Sequence, residues 1–270
     1  MSPKKQKTIE VEAIETVMAL RRAGGNEDRQ WEIIRSLHKS GSVHVLNRCA
    51  TMCSSGDAIE RELAADILGQ LGWRNGELPL CEKIAPLLSP LLKDPNEKVV
   101  QAALVALGHM RASEIILSNV NLADHSSDLI RFSMASCLGL LDSPKARRAL
   151  VKLSADQDRD VRNWATFGLG TQCHNNTNEI RGALFARIND TDEETRNEAI
   201  LGLARRKIRN VIPILVRELE AEPDNPSPLA IEAAAELLAP ELLEPLQRIL
   251  ETYGDPHGTI EGVINLIKNQ

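Results

Sequence analysis

Apolar residues recur along this chain at helical spacing, in blocks that themselves repeat. The clearest block is Val161-Arg162-Asn163-Trp164-Ala165-Thr166-Phe167-Gly168-Leu169-Gly170, where Val161, Ala165, Gly168 and Leu169 fall at i, i+4, i+7 and i+8. That spacing places them on one stripe of an α-helix, which is expected to be buried. With Arg162 as anchor, equivalent frames sit at Gln30, Arg61, Val100, Arg131, Arg196, Ala230 and Glu261, at successive separations of 31, 39, 31, 31, 34, 34 and 31 residues. Leu68-Gly69, Leu107-Gly108, Leu138-Gly139, Leu169-Gly170 and Leu203-Ala204 close the frame in the central copies. The outer copies are weaker, as terminal repeats usually are.

Upstream of each anchor helix lies a second apolar-periodic segment, as in Ala146 to Leu153, Ile180 to Ile188, Val211 to Leu219 and Leu242 to Leu250. Each repeat is therefore predicted to be two antiparallel helices. A pair this short cannot cover its own apolar stripe, so burial at about 25 cal/mol per Å² is realised only by stacking on neighbouring pairs. The fold expected is all-α, a right-handed α-α superhelix of about seven to eight pairs in one continuous domain over 1–270. Residues 1–25 and 252–270 are expected as caps, and the extra length in the 39-residue interval falls at 73–80, read as a loop insertion.

Helix starts are marked by Asp94-Pro95-Asn96-Glu97 and by Asp190 with Glu193, read as capping boxes with Asp94 and Asp190 as caps; Asp156 holds the same place before Val161. Pro86 and Pro90 fall within one predicted helix and imply a kink or split there, and Pro213 and Pro245 are expected to interrupt first helices.

Composition narrows the function. Aromatics are 3% of the 270 residues and net charge is −6, with 32 basic residues scattered among 38 acidic ones. No broad basic field invites nucleic acid. Cys49, Cys53, Cys81, Cys137 and Cys173 are odd in number and lack a CxxC spacing, which points to neither a disulfide framework nor zinc and fits a reducing cytoplasm. No run of 18 apolar residues occurs, so membrane spanning is not expected. The histidines form no HExxH, and no Gly-x-Ser-x-Gly elbow appears. Neither metal nor cofactor nor catalytic residue is expected.

The Asp-x-Asp-x-x-Val-Arg-x-x-Ala-x-x-x-Leu-Gly form of residues 156 to 170 resembles the HEAT-like repeats first named from phycobilisome lyases. More narrowly, Asp160 to Ala165 and Arg196 to Leu203 resemble the small bacterial YibA-type HEAT proteins, some encoded beside Rhs polymorphic-toxin loci. The resemblance implies that the second helix of each pair lines a concave surface, with positions one, two, five and nine after the anchor facing it. It implies a non-catalytic protein-binding solenoid and makes an immunity role against a toxin the sharper expectation. The alternatives are a nucleic-acid-modifying enzyme of the HEAT-like DNA glycosylase type and a bilin lyase. The di-iron hydroxylase variant of such repeats needs His-Glu dipeptides, and this chain has none.

On this frame the candidate partner-binding residues are Trp31, Arg35, Glu62, Asp66, Phe132, Asn163, Trp164, Phe167, Asn197, Glu198 and Arg205. The aromatics would be apolar anchors, and the polar groups would supply orientation. Trp164 and Phe167 could equally fill gaps between repeats. Arg35, Lys39 and Arg205 stand against Glu32, Glu62, Asp66 and Glu198, a poor track for phosphates. Arg61, Arg131, Arg162 and Arg196 are read as structural, with Asp57, Asp158 and Asp192 four residues before an anchor Arg, a spacing for ion pairs on one helical turn and for a bridge to the next repeat.

Overall fold

The computed structural model describes residues 3–38, 42–71, 80–256 and 258–269. Lys39 and residues 73–79 of the expected insertion lie outside them. The chain forms two compact units, 1–137 and 138–270. The first holds α1 (Pro3–Arg22), α2 (Glu27–His38), α3 (Val43–Met52), α4 (Ala58–Gln70), α5 (Cys81–Leu88), α6 (Glu97–His109) and α7 (Ser113–Ser118), and the division falls within α8 (Asp128–Gly139). The second continues with α9 (Pro144–Leu153), α10 (Arg159–Phe167), α11 (Asn178–Phe185), α12 (Glu193–Arg205), α13 (Ile212–Ala221), α14 (Pro228–Leu237), α15 (Leu243–Thr252) and α16 (Thr259–Lys268). Every frame anchor lands on an even-numbered helix, the second of its pair. Among the described residues there is no strand.

Within each unit the second helices stack on one another: α2 on α4 and α4 on α6, then α10 on α12 and α12 on α14. The stripe predicts what they bury. Ala64, Leu68, Ala103, Leu107, Val161, Leu169, Ala199 and Leu203 are all buried. Close approach is set by the small residues that end the frame. A Cβ on Gly202 would lie 2.5 Å from the Gly170 Cα, so the end of α10 meets α12 backbone to backbone. There α10 loosens into a π turn over Gly168–Gln172.

The helix caps differ from the expected boxes by two residues. Asn96 accepts from the Lys98 amide at 3.0 Å, Asp158 from Asp160 and Val161 at 3.0 Å, and Asp192 from Thr195 at 2.9 Å. Asp94, Asp156 and Asp190 instead each accept the amide two residues on, at 2.9, 2.9 and 3.1 Å, and so shape the loop before the cap.

This rearrangement also corrects the expected ion pairs on one helical turn. Asp57, Asp158 and Asp192 are occupied as caps. The anchor arginines reach into the following repeat: Arg61 grips Asp94 through two bonds of 2.6 and 2.9 Å, and Arg162 grips Asp190 at 2.8 and 2.9 Å. Arg196 lies 3.3 Å from Glu218. Each anchor also donates back to its own loop, Arg61 to the Ser55 carbonyl, Arg131 to His125, Arg162 to Asp156 and Arg196 to Asp190, at 2.8 to 3.0 Å. The hydrogen bonds from Arg61 hold the Asp94 carboxyl below the usual carboxylate range. Burial pushes Asp190 upward, but the bonds from Arg162 and the Asp192 amide, with the charges of Arg162 and Arg187, together outweigh it and the net direction is down.

Prolines mark starts more than interruptions. Pro86 does lie inside α5, which gives way to a 3-10 turn over Ser89–Lys93. Pro213 sits in the first turn of α13, and Pro245 is the third residue of α15, positions where a missing amide costs little.

Candidate partner-binding clefts

Two clefts, one in each unit, are built on a common plan. In both, an indole on one second helix faces a pair of carboxylates four residues apart on the next second helix. The first, of about 390 Å³, brings Trp31 of α2 to Glu62 and Asp66 of α4. The second, of about 260 Å³, brings Asn163, Trp164 and Phe167 of α10 to Glu194 and Glu198 of α12. The i, i+4 spacing sets both carboxylates on one helical face, and stacking of successive repeats sets the indole opposite.

The first cleft already contains a cation. Arg21, at the end of α1, places Nη2 2.9 Å from Asp66 and Nη1 3.3 Å from Glu62, the latter without hydrogen-bond geometry. Its Nε donates to Gln30 at 3.1 Å, and Gln30 in turn donates to the Gly25 carbonyl. Burial pushes the Asp66 carboxyl up to about 6, and the neighbouring Arg21 offsets only part of that rise.

In the second cleft the carboxylates meet neutral donors. Asn163 Nδ2 donates to Glu194 at 2.8 Å and the Thr171 hydroxyl to Glu198 at 3.1 Å. Glu198 is 8% exposed, and desolvation raises its carboxyl above the ordinary range despite the Thr171 bond. Trp164 and Phe167 meet edge to face, with centroids 5.6 Å apart at 87°, and Trp164 remains 37% exposed. At the same frame position Leu63, Ala102 and Ser133 are buried, so Trp164 puts a bulky ring where other repeats fill the seam between helices.

The sequence candidates thus separate. Trp31, Glu62 and Asp66 meet in one cleft, and Asn163, Trp164, Phe167 and Glu198 in the other. Asn197 is a correction: at 2% exposure it lies inside α12's packing, beyond a partner's reach, because the second-helix stripe is wider here than the frame implied. Arg205 spends its guanidinium on Glu232 at 2.5 Å. Arg35 is exposed on α2 and Phe132 half-buried on α8, and neither lines these clefts.

Sequence reading passed over Arg21, Glu194 and Arg206. Glu194 was legible as the i−4 partner of Glu198. Arg206 donates to five main-chain carbonyls, those of Leu169, Gly170, Cys173, Asn175 and Gly202, at 2.5 to 3.1 Å, and so ties off the π turn that follows α10. Two of the buried thiols offer little chemistry: burial pushes Cys53 up to about 11 and Cys137 up to about 12. Among the described residues no group of three His, Cys, Asp or Glu could hold a metal, and no helix is long and apolar enough to cross a membrane.

A family model for HEAT repeats matches residues 84–170. Protein YibA of Escherichia coli K12 is 26% identical over 232 residues, covering 82% of this chain and 79% of that protein. The X-ray structure of E. coli YibA matches with a TM-score of 0.76 at 24% identity, over 100% of this chain and 99% of that one. A computationally designed armadillo repeat protein, made for modular peptide recognition, matches at TM-score 0.50 and 18% identity, over 77% of this chain and 99% of its own. With its regularly repeated helical pairs, the chain is an all-α HEAT-like repeat protein similar to YibA.

Proposed function

We propose that this protein is a non-catalytic binding module that holds a protein partner on the face lined by its second helices, as one array over 1–270. The observation that carries the reading is the second cleft, where an indole more than one-third exposed stands beside two carboxylates. A rigid ring at such a place buries much area at small conformational cost. The peptide recognition for which the designed armadillo protein was made lends support from a related fold. Both clefts carry more carboxylate than cation among the residues that line them, which disfavours a phosphate backbone as occupant.

The resemblance to YibA-type proteins near Rhs loci makes a polymorphic toxin the partner to test first, with this chain as its immunity protein. Co-expression with a toxin encoded beside the gene, followed by co-purification, is the experiment. Protection and a stable complex are expected. The double substitution Trp164→Ala with Glu194→Gln is expected to weaken the complex by roughly tenfold or more while helicity is kept. Full-strength capture by the folded double variant would overturn the face assignment, and absence of both protection and binding would overturn the immunity role for that toxin.

A further inference from the structure

The two clefts share an architecture and differ in the charge they enclose. In the first, the chain's own guanidinium lies against the carboxylate pair, Arg21 at 3.3 and 2.9 Å from Glu62 and Asp66, in a cavity that Trp31 also lines. The fold thereby displays what an indole and an i, i+4 carboxylate pair on successive second helices accept. In the second cleft the same elements recur as Trp164 with Glu194 and Glu198, and no Lys or Arg is among the lining residues. The cation whose charge acts on Glu198, Arg205, is bound to Glu232 at 2.5 Å.

Resting on the protein-binding reading above, we infer that the Trp164–Glu198 cleft receives an arginine side chain of the partner. Three properties fit that occupant. Glu198 is 8% exposed and has one hydrogen bond, from a neutral hydroxyl. A carboxylate so removed from water gains most from a charge-assisted donor, and a planar guanidinium delivers two at once. Trp164 and Phe167 stand perpendicular, 87° apart, so the cleft offers an indole face against which a guanidinium stacks as well as a ring to flank it. Glu194, exposed at the mouth and held by Asn163 at 2.8 Å, gives an incoming cation a second acidic group. A lysine ammonium would reach one carboxylate as a point charge but forgo the planar stack, and is expected to bind more weakly.

The probe is N-acetyl-arginine amide, titrated into the isotope-labelled full chain while the Trp164 indole N–H resonance, assigned by its loss in Trp164→Phe, is followed by NMR. A saturable shift with a dissociation constant of about 1–10 mM is expected for so small a ligand. N-acetyl-citrulline amide, which has nearly the same shape without the charge, is expected to give none. N-acetyl-lysine amide is expected to bind more weakly than the arginine amide, and Glu198→Gln to weaken arginine binding roughly tenfold. Should Glu198→Gln unfold, Glu194→Gln alters an exposed residue and carries the same comparison. No saturable shift with arginine, an equal response to citrulline, or undiminished affinity in a folded glutamine variant would overturn the assignment. If arginine fails while a protein partner still depends on Trp164, only the arginine assignment falls; if arginine binds but no protein partner does, the partner reading falls instead.

Discussion

Arg21 lines the first cleft, whereas no arginine lines the second, and Arg206, at the end of α12, takes partners of the opposite kind. Arg21 turns to side chains, bridging Glu62, Asp66 and Gln30. Arg206 turns to main chain, gathering five carbonyls of the π turn and α12. The first arrangement neutralises its carboxylates from within. The second consolidates the backbone and leaves Glu194 and Glu198 to neutral donors. A cation of the chain's own therefore occupies one site, while the second unit's Arg206 is spent on main chain and the cleft there has no lining cation.

The largest effect that would break this contrast is Arg206→Met. Methionine keeps much of the aliphatic stem but removes the donor from all five carbonyls. We expect a loss of about 3–5 kcal/mol in urea unfolding, since several buried acceptors and a helix end lose their donor together. A loss below about 1 kcal/mol would mean that the carbonyls are met equally well by water, and the structural assignment of Arg206 would fail.

Next in size is the pH dependence of Asp66→Asn. In the folded protein burial has pushed Asp66 up to about 6, above the unfolded value of about 3.9. Between those values the folded state binds the proton more tightly, so this group contributes stability that is present below pH of about 4 and lost as pH rises through about 6. Asparagine has no proton to lose. Relative to the native chain, Asp66→Asn should therefore gain about 2–3 kcal/mol between pH 4 and 7. Measuring both proteins across that range cancels the opposite slopes of Asp57, Asp94 and Asp190, whose carboxyls are held low by their hydrogen bonds. A constant difference would show that Arg21 fully offsets the burial.

The helical pairing was legible because stripe and frame are local: Val161, Ala165 and Leu169 announce a helix without reference to anything distant. The anchor arginines were legible as structural, but their partners were not. Asp158 stands four residues before Arg162 and looks like its mate, yet a cap needs that carboxylate at the helix start, so Arg162 is left to reach Asp190 in the next repeat. Groove positions were legible in part. Trp164 and Glu198 meet as the frame implies, but Asn197, one residue away, is buried because α12 is packed on three sides by α10, α11 and α14. Arg21 and Arg206 carry no periodic signal, since each acts through geometry that exists only after the helices have stacked.

The smallest effect on stability, Glu198→Gln, sharpens the comparison most. Desolvation raises the Glu198 carboxyl, and the Thr171 hydroxyl and the charge of Arg205 answer it only in part, so a neutral isostere that still accepts from Thr171 should change stability at pH 7 by no more than about 1 kcal/mol. The same substitution is expected to weaken cation binding at the cleft. Stability and recognition would then separate at Glu198, as they should where a charge faces outward to a partner and not inward to the fold. A destabilisation beyond about 2 kcal/mol would instead make Glu198 a structural carboxylate like Asp94, held by internal partners whose loss the fold cannot absorb, and the two clefts would be alike after all.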